Sequence, residues 1–322
     1  MTRYRSFGRL GWQVSDLGFG TWGMGGWSGG DDEQARAALD RAVGLGCNFF
    51  DTALAYGAGK SEQLVGEMLR RHRGHEIFVA TKVPPQNLKW PGRASTPAAD
   101  AFPADHIRAS TETSLRNLGV ERVDLQQLHV WSDAWVNDDG WRREAERLKD
   151  EGKIGGFGIS VNRWEPGNVI RAIETGLVDS VQVVYNILDQ APEDALFPAC
   201  RTHGVAVIAR VPFDEGSLTG SLRRDSTWPE GDWRNTYFTP DNLAATMTRV
   251  DALREVLPDE LSLPAAALRF ILANEDVATV IPGMRQVRHV EANLAASAAG
   301  PLPPGLVAAL RNHRWDRGYE VE

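Results

Sequence analysis

Asp51, Tyr56, Lys82 and His129 are of types and spacings that could carry out one reaction together. Asp51, Lys82 and His129 each end a short run rich in β-branched and aromatic residues, and Tyr56 follows Asp51 by five positions, far enough for a turn to bring its phenol back over the strand end. A free phenol has a pKa near about 10 and is a poor acid at neutral pH; a cation beside it lowers that value. Lys82 would supply the cation, Asp51 would hold the ammonium and offset its desolvation, and His129 would orient a carbonyl oxygen. The chemistry is proton delivery to the alkoxide formed when a hydride reaches a carbonyl carbon. Taken singly, each residue also has a plain structural use: Asp51 as a helix cap, Lys82 snorkelling, Tyr56 as a surface aromatic, His129 as a satisfied core histidine. All four converging on one mouth is the chemical constellation.

That convergence requires adjacent parallel strands. Strand patterns fall at 15–20, 48–52, 77–83, 123–130, 156–161, 180–186, 205–211 and 277–281. Helix-period segments lie between them at 32–45, 61–71, 105–118, 140–151, 165–175, 194–203 and 264–274, with Gly46, Gly119, Gly152, Gly176 and Gly204 at C-cap positions. Eight βα units without a break in composition predict a single domain over 1–322, a (β/α)8 TIM barrel of the α/β class. Such a barrel takes about 250 residues, and the roughly 70 left over enlarge the loops after strands 3 and 7, on the catalytic face. Residues 4–14, with a turn at Gly11, read as a hairpin plugging the opposite end or as a frayed terminus. Gly18, Gly20 and Gly23 match G-x-G-x-x-G, but the sequence runs on into a Gly-rich stretch that cannot open a helix, so a loop leaving strand 1 is expected there rather than a dinucleotide fingerprint.

Composition narrows the function classes. The chain has 322 residues, 42% hydrophobic and 24% charged, with a net charge of −8, which argues against a dedicated nucleic-acid binder. No apolar run approaches a membrane span and the N-terminus has no signal-peptide core, so a soluble cytoplasmic protein is expected. Cys47 and Cys200, far apart, read as buried thiols. A metal-dependent hydrolase would need several histidines at strand ends, and of seven only His129 ends one, so no metal is expected.

Asp51-Thr52-Ala53-Leu54-Ala55-Tyr56-Gly57 with Ser61-Glu62, then Val79-Ala80-Thr81-Lys82, then Val123-Asp124-Leu125-Gln126-Gln127-Leu128-His129, resemble the aldo-keto reductase superfamily in order and spacing. The similarity runs from Leu17-Gly18-Phe19-Gly20-Thr21-Trp22 to Ile281-Pro282-Gly283 and Asn293. It implies reduction of aldehydes or ketones with NADPH, less often NADH, with Tyr56 as acid, Lys82 and Asp51 as its supports and His129 orienting the substrate. It also implies an extended cofactor. Ser160 and Gln182 match the carboxamide site, the segment from Arg210 through Val211, Pro212, Phe213, Gly216 and Leu218 matches the pyrophosphate loop, and Gly283, Arg285, His289 and Asn293 match the adenosine site. Gly20, Thr21, Trp22 and Asp51 join the cofactor residues. Arg285, Arg288 and His289 place positive charge where a 2′-phosphate would sit. Three positions depart from the family pattern. Arg210 replaces the aromatic that stacks on the nicotinamide and adds a charge beside a ring that is cationic when oxidised; Ser160-Val161-Asn162 replaces a Ser-Asn pair; Ala292 replaces a Glu.

Two other functions share these motifs: an NAD-dependent aldose or alcohol dehydrogenase running oxidatively, and a redox-sensing binding module like the potassium-channel β-subunits. The expected partner is a small carbonyl compound; oligomeric state is silent. Eleven Trp stand out. Trp22, Trp27, Trp90, Trp131, Trp135, Trp141, Trp228 and Trp233 all follow barrel strands, which predicts an aromatic wall suited to flat or sugar-like substrates, with Trp22, Tyr56, Trp90, His129 and Trp131 around the substrate. The chain ends soon after Trp315, so an open site is expected.

Overall fold

The computed structural model describes residues 1–26 and 31–317. Its strands are β1 (Tyr4–Ser6), β2 (Gln13–Ser15), β3 (Phe19–Gly20), β4 (Phe49–Asp51), β5 (Phe78–Val83), β6 (Val123–Leu128), β7 (Ile154–Ser160), β8 (Ser180–Val184), β9 (Ala206–Arg210) and β10 (Val277–Val280). Strands β3 to β10 pair in parallel, each with its sequence neighbours. Bridges between Leu17 and Val280 and between Gly20 and Gly283 join the first of them to the last and close a (β/α)8 barrel. The predicted first strand at 15–20 is two elements: Ser15 belongs to a hairpin, and Phe19–Gly20 form the barrel strand, preceded by the single bridge at Leu17.

Side chains on these strands alternate between two cores. Outward residues such as Phe50, Val79, Leu128, Phe157, Val181 and Val207 pack against the surrounding helices. Inward residues Phe49, Phe78, Ala80, Leu125, Ala206, Ile208 and Ala278 fill the lower barrel. The hairpin β1–β2 caps that end, where Phe7 stacks on Phe49 and Trp12 stacks on Phe78. Arg5 reaches across from the hairpin, its Nη1 donating to the carbonyls of Asn274 and Val277 at 2.9 and 2.7 Å. Two residues further along the same inward rows stand Asp51, Lys82, Gln127, Gln182 and Arg210, so the barrel interior changes from apolar to polar on approach to its upper mouth. Gly158 leaves room for that layer: a Cβ there would lie 2.3 Å from Ser180 Oγ.

The helices are α1 (Asp32–Gly44), α2 (Lys60–Arg71), α3 (Ala98–Ala101), α4 (Ala104–Leu118), α5 (Asp139–Asp150), α6 (Ile170–Glu174), α7 (Leu196–His203), α8 (Arg234–Tyr237), α9 (Pro240–Val256), α10 (Leu263–Leu272), α11 (Val287–Ala298) and α12 (Pro304–Arg311). The glycines at 119 and 204 take left-handed φ of 68° and 64° where α4 and α7 end. The predicted 165–175 helix shrinks to α6, residues 166–169 forming turns in which Asn168 bonds to the backbone of Asp133 and Trp131. The long interval after β9 holds the 17-residue α9 in addition to loop. Cys47 and Cys200 are buried and unpaired. No described helix is long and apolar enough to cross a membrane.

Candidate active site

Lys82 is fully buried at the top of the barrel. Its Nζ donates to Asp51 Oδ1 at 2.5 Å, to the Thr52 carbonyl at 2.8 Å and to Tyr56 Oη at 3.3 Å, which uses all three ammonium donors. Asp51 is oriented from its other side, where Oδ2 accepts from Gln182 Nε2 at 2.7 Å and Gln127 Nε2 at 3.3 Å. Burial alone would lower the Lys82 pKa, but Asp51 and Tyr56 outweigh it and the net shift is upward, so the ammonium is retained.

Tyr56 comes back over the barrel on a tight turn, its N–H donating to the Ala53 carbonyl at 2.9 Å. The turn is completed by Gly57 at φ +64°, where a Cβ would meet the Gly25 carbonyl oxygen at 2.2 Å. Burial pushes the phenol up from its ordinary value, and Lys82 pulls against that shift. The cation thus acts in the expected direction, but desolvation dominates and the phenol is neutral, a proton donor at neutral pH. His129 stands edge-on to Tyr56, ring centroids 5.6 Å apart, and to Trp90 at 4.6 Å. Its Nδ1 is buried with no hydrogen-bond partner, and burial, helped by Lys82 and Arg210, holds its pKa well below the ordinary histidine range. A neutral imidazole therefore stands edge-on beside a neutral phenol, an arrangement able to bind one carbonyl oxygen.

Tyr56, though neither His129 nor Trp90, lines a cavity of about 690 Å³. Of the residues expected around a cofactor, Gly20, Trp22, Asp51, Gln182, Arg210, Val211, Pro212, Phe213, Gly216, Gly283, Arg285 and His289 line it. Thr21, Ser160, Leu218 and Asn293 do not. Thr21 is buried beneath, its hydroxyl bonded to the Asp51 carbonyl and Ser61, and Leu218 and Asn293 are buried behind the surface that faces the cavity. Ser160 ends β7 almost fully buried. Asn162 instead ties two loops together, exchanging bonds with the Gly92 backbone. The positive charge near 285–289 comes from the arginines, since burial and both neighbouring arginines lower the His289 pKa.

The aromatic wall is smaller than expected. Trp22 and Trp233 meet edge to face at 6.1 Å beside Tyr237 at the cavity, and Trp90 stands half-exposed against His129. Trp131, Trp135 and Trp141 form a buried cluster in which Trp131 is wholly enclosed, so Trp131 packs the loop after β6 and does not reach the substrate space. Trp228 stacks on Phe238, and Trp27 lies outside the described residues.

Sequence reading missed three features. Gln127 sits one inward step before His129, and strand parity alone would have found it. Arg163 pairs with Glu215, joining the loops after β7 and β9 beside the cavity. Arg317, from the C-terminal segment, is buried against Asp189 at 2.6 Å and Asp214 at 2.5 Å, and its Nη1 donates to Tyr237 Oη at 2.7 Å. None of these three ion pairs carries a local signal.

The profile of the Aldo/keto reductase family matches residues 16–314. The chain is 30% identical over 311 residues, covering 97% of it and 96% of its relative, to an uncharacterized oxidoreductase, YqkF, of Bacillus subtilis (strain 168). It is 28% identical to an NADH-specific methylglyoxal reductase of Escherichia coli (strain K12), over 88% of this chain and 90% of that one. Among solved structures, the holo form of the aldo-keto reductase AKR11C1 from Bacillus halodurans superposes with a TM-score of 0.78 at 30% identity, covering 100% of this chain and 99% of that one.

Proposed function

The chain belongs to the Aldo/keto reductase family, an oxidoreductase family, and from that premise we propose that it reduces an aldehyde or ketone to an alcohol with a nicotinamide cofactor, NADPH in preference to NADH. The observation that carries the reading is the buried Lys82–Asp51 pair within 3.3 Å of the Tyr56 hydroxyl, opposite a neutral His129. When bound, the nicotinamide supplies hydride. The residues around it supply everything else. Tyr56 and His129 hold the carbonyl oxygen, Tyr56 releases its proton to that oxygen, and Lys82 stabilises the phenolate left behind while Asp51 keeps the ammonium in place.

In this reading an extended dinucleotide would lie in the cavity of about 690 Å³, with Asp51, Gln182 and Tyr56 at its reactive end, the 211–216 loop along its length and Arg285 towards its far end. The arginines at 285 and 288 favour a 2′-phosphate, which is the reason for preferring NADPH although the Escherichia coli relative is named NADH-specific. Trp22, Trp90 and Trp233 favour flat or sugar-like carbonyl compounds. Buried free thiols, pushed up to about 11 at Cys47 and about 12 at Cys200, suit a reducing cytoplasm.

The test is turnover of an aromatic aldehyde with NADPH and with NADH by wild type and Tyr56→Phe. The reading expects loss of at least about a hundredfold in kcat for Tyr56→Phe with cofactor affinity unchanged. Equal rates would remove Tyr56 as the acid.

A further inference from the structure

The charged groups at the barrel mouth are almost all matched. Lys82 is paired with Asp51, Arg163 with Glu215, and Arg317 with Asp189 and Asp214. Arg210 differs. Among the described residues it forms no ion pair: its Nη2 donates to the Val161 carbonyl at 2.9 Å, and its Nε is buried without a hydrogen-bond partner. Burial and the nearby Arg163 lower its pKa to about 10, which still leaves it cationic at neutral pH. Among the described residues Arg210 is therefore a buried cation on the cavity wall that no carboxylate contacts directly, although Asp51 and Asp189 lie near enough to act on it.

The order of strands says what that charge faces. The carbonyl oxygen is held by Tyr56, which follows β4, and by His129, which follows β6, so the proton-delivering side of the site is the β4–β6 arc. A hydride donor has to come within about 3–3.5 Å of the carbonyl carbon and must do so from the side those two residues leave free. That side is the β8–β10 arc, where the cavity is lined by Gln182, Arg210 and Ile281. Of those three, Arg210 alone bears a charge. Loss of hydride, one proton with two electrons, leaves the donor ring one unit more positive. A neutral reduced ring can lie against a planar guanidinium without electrostatic cost, whereas the oxidised ring meets a like charge.

We propose that Arg210 sets the redox preference of this site, weakening binding of the oxidised cofactor relative to the reduced one and so biasing the enzyme toward carbonyl reduction. This rests on the nicotinamide reading given above and goes beyond it, because it assigns a direction to the site.

Dissociation constants for NADPH, NADP+, NADH and NAD+ are measured by calorimetry and by quenching of tryptophan fluorescence, Trp22 and Trp233 being at the cavity. Wild type should bind the reduced member of whichever pair it accepts at least tenfold more tightly than the oxidised member. Arg210→Met, and Arg210→Gln in case the methionine variant does not fold, should shrink that ratio by roughly tenfold. Arg210→Lys should keep it. Equal affinity for the two forms in wild type, or an unchanged ratio in the neutral variants, would overturn the inference. Saturable binding of neither pair would overturn the nicotinamide reading itself, and this inference with it.

Discussion

Replacing Lys82 with methionine separates two roles that one residue plays. Lys82 and Asp51 are both buried, and Nζ lies 2.5 Å from Oδ1, so removing the lysine leaves a carboxylate enclosed with only Gln182 and Gln127 as donors. Breaking a buried pair by deleting one partner costs about 3–5 kcal/mol, and the two amide donors place this case at the lower end. For catalysis, a full negative charge on Tyr56 Oη at 3.3 Å from Nζ is stabilised by about 5 kcal/mol at an effective dielectric of about 20. With the proton about half transferred, roughly 2.5 kcal/mol reaches the transition state, about a hundredfold in kcat. Lys82→Met should therefore lose both stability and rate. In the double variant Lys82→Met/Asp51→Asn the stranded carboxylate is gone, so about 2 kcal/mol of stability should return while kcat stays low. Urea unfolding of wild type, both single variants and the double gives the coupling energy, and steady-state aldehyde reduction gives the rates. The reasoning fails if the double variant is no more stable than Lys82→Met, or if it recovers activity.

His129 gives a pH prediction. Its folded pKa lies below the unfolded value, so the unfolded chain binds the extra proton, and the stability its neutral form contributes is complete above about pH 6.5 and lost as pH falls from there, at up to about 1.4 kcal/mol per pH unit. His129→Gln should flatten that part of the stability profile measured by chemical denaturation. Gly57→Ala should cost at least about 2 kcal/mol and lower kcat, because it strains the turn that presents Tyr56; thermal melts and turnover check both. Arg317→Met leaves Asp189 and Asp214 buried and unmatched; a loss of about 3 kcal/mol is expected, together with weaker cofactor binding through the 211–216 loop, read by calorimetry.

The proposed catalytic cluster was legible because Asp51, Lys82 and His129 lie at or next to the ends of β4, β5 and β6 and strand order makes them neighbours, so local pattern and global position agree. The barrel was legible for the same reason: each β-rich run ends at a turn residue and is followed by a helix period. The aromatic wall was not. Whether Trp131 faces the cavity or the core depends on how the loop after β6 folds back onto Trp135 and Trp141, and nothing local encodes that. Helix α9, in the long interval after the seventh barrel strand, was not assigned from the sequence, because alanines and threonines, Ala244, Ala245 and Thr246 among them, dilute its apolar stripe. The partners of Arg163 and Arg317 lie far away in the chain, and only the closed barrel brings them together.

The floor of the barrel bears on how the protein folds. Phe7 and Trp12 stack on Phe49 and Phe78, whereas Arg5 is satisfied by the carbonyls of Asn274 and Val277, and Asp16 accepts from Ser297. The hairpin and the residue after it are thus anchored by residues 269 to 281 positions further along the chain. A floor tied together over such separations is complete only when the last barrel strand and α11 are in place, so the polar anchors of the hairpin form late in folding.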